Sequence, residues 1–184
     1  MIGKSAFSEC LEVVLQHEGG YVNDPSDNGG ETIYGISRRA HPNWGGWSYV
    51  DKAKPLKFNA KLPTVLALVS ILYRKEYWER CNCDEIAKYN QTLALHVFDF
   101  AVNAGGDRGA KTLQACLGVK EDGKIGPITL AKMRESDPAV IVLGYKTRRE
   151  EFYTSLSKQP KQKKFLKAWL ARVNGCNDAF CSVA

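Results

Sequence analysis

Apolar residues recur along this chain at helical spacing. Phe7, Cys10, Leu11, Val14 and Leu15 fall at i, i+3, i+4, i+7 and i+8, one face of an amphipathic helix, while Glu9, Glu12 and Gln16 lie on other sides. Ser5 stands where an N-cap belongs, and Gly19-Gly20 suit the left-handed position that stops a helix. After Leu62-Pro63, the rhythm of Val65, Leu68, Val69, Leu72, Tyr73 and Tyr77 predicts a helix running to about Arg80. Residues 90 to 104, with Leu93, Leu95, Val97, Phe98, Ala101 and Val102, are apolar nearly all round and predict a central helix closed by Gly105-Gly106. Arg108 to Leu117 and a short helix from Gly126-Pro127 to Met133 flank an Asp122-Gly123 turn, and helices from Pro138 to about Leu156 and from Lys163 to Asn177 complete the pattern. The expected fold class is all-α, with a short irregular or β-hairpin loop after the first helix.

Composition narrows the class of partner. With 44% hydrophobic and 25% charged residues the chain is ordinary for a globular protein, and its net charge of +6 favours polyanions such as bacterial wall or nucleic acid. Lys158, Lys161, Lys163, Lys164 and Lys167 form the densest basic cluster, but no basic reading helix, zinc finger or aromatic RNA-binding signature accompanies it, so nucleic acid is not an expected partner. No apolar run is long enough to span a membrane. Met1-Ile2-Gly3-Lys4 leads directly into the first helix without a signal peptide, so synthesis in the cytoplasm with reduced thiols is expected. Cys10 and Cys116 occupy apolar slots. Cys81-Asn82-Cys83 and the pair Cys176 and Cys181, with only His17, His41 and His96 as imidazoles, make no standard zinc pattern, and neither a metal nor a cofactor is expected.

Candidate chemistry concentrates between His17 and Ile36. Glu18 follows Phe7 by eleven residues, three turns plus roughly 20°, and so continues the apolar stripe. Partial desolvation favours the protonated form of a carboxyl group, the form a general acid must hold. Asn23-Asp24-Pro25 and Asp27-Asn28-Gly29-Gly30 are turn formers that fold the chain back, so that Asp24 or Asp27 and the Thr32 hydroxyl can sit opposite Glu18. Each Asp reads equally well as a turn-stabilising residue, and position alone does not choose between them. In the central helix Asp99 is an acid among apolar neighbours, with Asn103 one turn later on the same face. It is either a buried Asp satisfied by an arginine or backbone group, or part of a cleft floor that binds sugar hydroxyls. Trp44 and Trp47 could offer flat faces to sugars or pin the loop from His41 to Lys61 to the body.

These motifs resemble a known family. Glu18-Gly19-Gly20-Tyr21, Asn23-Asp24-Pro25, Gly29-Gly30-Glu31-Thr32 and Tyr34-Gly35-Ile36 resemble the N-terminal signature of glycoside hydrolase family 108, whose members include bacterial proteins once called secretion activators and phage N-acetylmuramidases. Tyr73-Arg74-Lys75-Glu76-Tyr77-Trp78 and Phe98-Asp99-Phe100-Ala101-Val102-Asn103 continue the likeness. Leu113-Gln114 through Leu117-Gly118-Val119, Asp122-Gly123, Ile125-Gly126-Pro127 and Thr129-Leu130 resemble the core of peptidoglycan-binding modules, which reads first as a structural helix pair. A more distant similarity links the order Glu18, Asp27, Thr32 to phage-type lysozymes, with the threonine one residue closer here.

The resemblance implies a lysozyme-like fold, with a catalytic region over residues 1–90 and a helical, peptidoglycan-binding-like region over 91–184 packed with it. It implies a peptidoglycan hydrolase that cleaves the β-1,4 bond between N-acetylmuramic acid and N-acetylglucosamine. Glu18 would be the acid, Asp27 or Asp24 the second carboxylate, and Thr32 a holder of water. Tyr21, Tyr34, Asp99, Asn103, Trp44 and Trp47 would bind substrate. Inversion or retention depends on whether the carboxyl groups stand about 6.5–9.5 Å or about 5–5.5 Å apart. The expected partner is the glycan strand, met by a monomer that reaches the wall after release or dedicated export. The alternative is a non-catalytic peptidoglycan-binding or secretion-assisting module.

Overall fold

A computed structural model describes residues 4–24 and 30–180. Among them nine α-helices and one small antiparallel sheet form a mainly helical protein, as the apolar periodicity predicts. Helix α1, Ala6–His17, starts where Ser5 accepts the Ser8 backbone N–H at 3.2 Å. Its stripe is buried as expected at Phe7, Cys10, Leu11 and Val14. The chain divides into two compact units, Leu11–Arg74 on one hand and Met1–Cys10 with Lys75–Ala184 on the other, so that α1 contributes to both.

In the unit Leu11–Arg74, the loop after α1 is a sheet of three short strands in sequence order, β1 (Val22–Asn23), β2 (Glu31–Ile33) and β3 (Ile36–Ser37). Val22 faces Thr32 and Thr32 faces Ser37, while Ile33 pairs with Ile36 across a two-residue turn. Both turn residues, Tyr34 and Gly35, have positive φ (48° and 73°), the hairpin geometry whose twist matches that of the strands. Helix α2, Trp47–Lys52, lies in the stretch that turn residues had made look like loop. The helix predicted from Leu62 to Arg80 begins as a 3-10 turn, Pro63–Val65, continues as α3, Leu66–Tyr73, and widens into a π-helix, Arg74–Glu79. The apolar spacing that marks the segment as helical does not distinguish these windings.

The other unit is built round α5, Gln91–Ala104, whose residues Leu93 to Ala101 are all buried and whose N-cap Asn90 accepts the Leu93 N–H at 2.8 Å. Helices α4 (Cys83–Tyr89), α6 (Gly106–Leu117), α8 (Pro138–Leu156) and α9 (Leu166–Asp178) pack on it. Phe7, Trp78 and Phe98 form an aromatic cluster with centroids 5.4 to 5.9 Å apart, both phenylalanines meeting Trp78 edge to face. Between α6 and α7 (Pro127–Arg134), buried Gln114 accepts the Gly123 N–H and donates to Asp122, both at 2.8 Å, which fixes the Asp122-Gly123 turn. Cys10, Cys81, Cys83, Cys116 and Cys176 are free thiols, and Cys181 lies outside the described residues. No helix among the described residues is long and apolar enough to cross a membrane.

Candidate active site

Glu18 follows immediately on the last residue of α1, half-buried, at the point where the chain leaves helical geometry. Gly19 and Gly20, expected to stop the helix in left-handed geometry, do not adopt positive φ. Gly20 is instead required by packing, because a β-carbon there would lie 2.4 Å from the Asn59 carbonyl oxygen and 2.5 Å from that of Ala60. Asn59 holds this segment from the other side. Its side chain accepts the Gly20 N–H at 2.7 Å, its N–H donates to the Tyr21 carbonyl at 2.7 Å, and Tyr21 N–H donates to the Ala60 carbonyl at 2.8 Å. Lys61 donates to the Glu18 carbonyl at 3.1 Å. The backbone around the acid is therefore clamped to residues 59–61.

The β2–β3 hairpin brings its turn to the Glu18 side chain. A β-carbon on Gly35 would stand 2.6 Å from Glu18 Oε2 and 2.8 Å from the Tyr73 hydroxyl oxygen, so these two oxygens flank the same glycine. Tyr73 donates to the Tyr34 carbonyl at 2.8 Å, and the Tyr34 hydroxyl accepts the Leu62 N–H at 3.0 Å. Tyr34 is almost wholly buried, with the Lys61 ammonium 5.2 Å from its ring centroid. Its place is thus to hold the hairpin turn, and it presents no open ring to a sugar. Thr32 is half-buried in the central strand.

A groove of about 710 Å³ opens on the same unit, lined by Tyr21, Val22, Asn23, Asp24, Lys54, Pro55, Leu56 and Phe58. Asp24 is exposed at its edge, and Asp27, the other candidate for second carboxylate, lies outside the described residues. Phe58 is 82% exposed, a free aromatic face that no helical or strand periodicity singled out. Two of these lining residues, Tyr21 and Lys54, belong to an ionic network. Tyr21 donates to Glu31 at 2.8 Å, Glu31 pairs with Arg38 at 2.6 Å and with Lys54 at 2.7 Å, and Asp51 accepts from both Arg38 (2.6 Å) and Lys54 (2.8 Å). Burial alone would raise the Glu31 carboxyl, but hydrogen bonds from Lys54 and Tyr21 and the charge of Arg38 outweigh it and hold it below the usual range. Hydrogen bonds from Arg38 and Lys54 bring Asp51 down to about 2.

Of the two tryptophans, Trp47 is enclosed and Trp44 is half-buried. Trp47 is 4% exposed, donates to the His41 carbonyl at 2.7 Å, meets Trp44 edge to face at 5.2 Å and carries the Arg38 guanidinium 4.5 Å from its centroid. Trp44 donates to the Leu68 carbonyl at 3.4 Å and covers Gly46, where a β-carbon would lie 2.2 Å from its ring. Both rings pin the loop, and the exposed aromatic beside the groove is Phe58.

Asp99 and Asn103 belong to the other unit. Asp99 is 0% exposed, with one oxygen bonded to Arg149 and the other to Arg172 Nε at 2.8 Å. An enclosed carboxylate with both oxygens engaged offers nothing to a sugar hydroxyl, so the binding role expected for Asp99 gives way to an ion-pair role. Burial opposes its charge, but the two guanidiniums outweigh burial and keep its carboxyl below the usual range. His96 shares the cluster through Arg149 (3.0 Å) and Asn177 (3.2 Å). Exposed Asn103 accepts from the Tyr153 hydroxyl at 2.7 Å. No group of three or more His, Cys, Asp or Glu among the described residues is arranged to hold a metal.

Residues 101–174 match the model of a family described as Predicted Peptidoglycan domain. Among solved structures the chain is similar to Brucella abortus SagA, with 29% identity, a TM-score of 0.69 and coverage of 96% of this chain and 95% of that one. No curated protein matches it. Residues 11–105, more than half of the chain and including Glu18, the hairpin and the groove, match the model described as Glycosyl hydrolase 108. The chain therefore belongs to the glycosyl hydrolase 108 family and is a glycoside hydrolase with a peptidoglycan-related function.

Proposed function

We propose that this protein is an N-acetylmuramidase that hydrolyses the β-1,4 bond between N-acetylmuramic acid and N-acetylglucosamine, with Glu18 as general acid. The observation that carries the reading is the setting of Glu18. It is a half-buried carboxyl at a helix end, pressed with the Tyr73 hydroxyl against Gly35, inside the part of the chain that matches the hydrolase family. Protonating the departing glycosidic oxygen relieves the charge that builds on it as the oxocarbenium-like transition state forms. A second carboxylate, Asp24 or Asp27, then stabilises the cationic sugar or orients water, with Thr32 as a further hydroxyl. Asp24 has in its favour a place on the groove that Tyr21, Asn23 and Phe58 also line. Amide and hydroxyl groups of sugars suit the polar side of that groove, and their C–H faces suit Phe58.

The test is digestion of purified peptidoglycan by wild type and Glu18→Gln, with the new reducing ends identified chemically. Wild type should free muramic-acid reducing ends and Glu18→Gln should free almost none. Release of glucosamine reducing ends, or equal turnover by the variant, refutes the assignment. Wall binding without turnover in either protein would mark a non-catalytic peptidoglycan-binding module.

A further inference from the structure

A second groove, of about 620 Å³, runs along α6 and α8 within the unit Met1–Cys10 and Lys75–Ala184. Its charges are of both signs and mostly uncommitted. Lys111, Glu121 and Glu151 form no salt bridge among the described residues, and Arg148 reaches the Ala115 carbonyl, at 3.4 Å, and the Cys116 side chain, neither of them a carboxylate. The Arg108 guanidinium carbon sits 4.5 Å from the Phe152 ring centroid, and Arg108 forms no salt bridge among the described residues. Asp107, also in the lining, is already paired with Arg80 at 2.6 Å. Three cations and three acids, one of the acids paired with Arg80, thus line one trough together with the Phe152 ring.

We propose that this groove binds the peptide stems of peptidoglycan, an inference that rests on the wall being the substrate. A stem peptide is amphoteric: it carries free carboxylates and, where it holds a diamino acid, a free ammonium, separated by alanine methyl groups. Arg108, Lys111 and Arg148 match the carboxylates, Glu151 and Glu121 the ammonium, and the Phe152 ring the methyl groups. A polyphosphate-type wall polymer or a nucleic acid would meet the two unpaired acids, Glu121 and Glu151, along with the cations, which disfavours a pure polyanion. The lining residues all fall within the stretch 101–174 that matches the Predicted Peptidoglycan domain.

The experiment is calorimetric titration of full-length Glu18→Gln protein, which leaves ligand intact, with three probes: a soluble disaccharide bearing a tetrapeptide stem with a diamino acid, the same disaccharide without peptide, and inorganic polyphosphate. The peptide-bearing probe should bind and the bare disaccharide should bind at least tenfold more weakly, about one charge-assisted contact's difference. Lys111→Ala and Glu151→Gln should each weaken the peptide-bearing probe by about fivefold to tenfold, with circular dichroism unchanged. In a Glu18-intact background the same two substitutions should leave hydrolysis of peptide-free glycan oligomers as it was. Equal binding of both saccharides, binding of polyphosphate alone, or unchanged affinity in both variants overturns the proposal. Each of those outcomes is independent of which reducing ends the intact enzyme releases.

Discussion

Acidification should weaken the helical unit from its interior, through His96. Burial and then the Arg149 charge bring this imidazole from 6.5 down to about 4, against smaller opposing effects of the Asn177 hydrogen bond and the Asp99 charge. The folded protein therefore keeps His96 neutral where the unfolded chain would protonate it. A depressed imidazole contributes stability that is complete above about pH 6.5 and is lost as pH falls toward about 4. At about 1.4 kcal/mol per pH unit, this amounts to a loss of about 2 kcal/mol at pH 5 and about 3 kcal/mol by pH 4. Asp99, which faces the same ring, is held below the usual carboxylate range and so titrates beneath this window. Urea denaturation of wild type and His96→Gln at pH 7, 6 and 5, followed by circular dichroism, isolates the effect. The variant should be less stable at pH 7, having lost the ring's contacts, but its stability should fall by about 2 kcal/mol less between pH 7 and 5. Parallel pH profiles for the two proteins would refute a buried neutral His96.

Gly35→Ala would drive a β-carbon to 2.6 Å from Glu18 Oε2 at a backbone φ of 73°, and turnover should fall by about a hundredfold while wall binding persists. Tyr73→Phe removes the donor to the buried Tyr34 carbonyl and should cost about 1–2 kcal/mol in chemical denaturation, together with a fall in kcat larger than any change in KM. Asp99→Asn strips two buried guanidiniums of their counter-charge and should cost about 3–5 kcal/mol, read as a melting temperature lower by about 10 °C. A small, pH-independent change in that variant would mean that the ion cluster is open to water.

Periodicity carried the helical scaffold because each long helix buries one stripe or, in α5, nearly its whole surface, and burial of that kind leaves a mark every three or four residues. It carried Asp99 only as far as two alternatives. The deciding partners, Arg149 and Arg172, stand 50 and 73 residues away and look like ordinary solvated cations in their own helices. Helix α2 was hidden because Trp44, Gly45, Gly46 and the flanking prolines advertise a loop, although Trp47 and Val50 bury one face of a short helix. Around Glu18 the turn residues correctly foretold a folded-back hairpin. What they could not show is that Asn59, Ala60 and Lys61 clamp the acid's backbone, since hydrogen bonds to main chain leave no pattern in side-chain type. Phe58 and Lys54 escaped notice for the converse reason: an exposed groove residue obeys no packing rule.

Helix α1 has a consequence for how the protein can be made and cut. Its first residues belong with Lys75–Ala184, where Phe7 meets Trp78 and Phe98 and Glu9 accepts from Gln91, so that unit is discontinuous along the chain. During synthesis, Phe7 leaves the ribosome long before the residues that will bury it, and the apolar stripe of α1 has to wait exposed. A fragment cut at residues 11–105 would span the hydrolase match yet discard this N-terminal contribution and most of its packing partners. The hydrolase region is thus delimited by ancestry but not by folding, and expression of it alone should yield an aggregating chain where the full protein yields a monodisperse one.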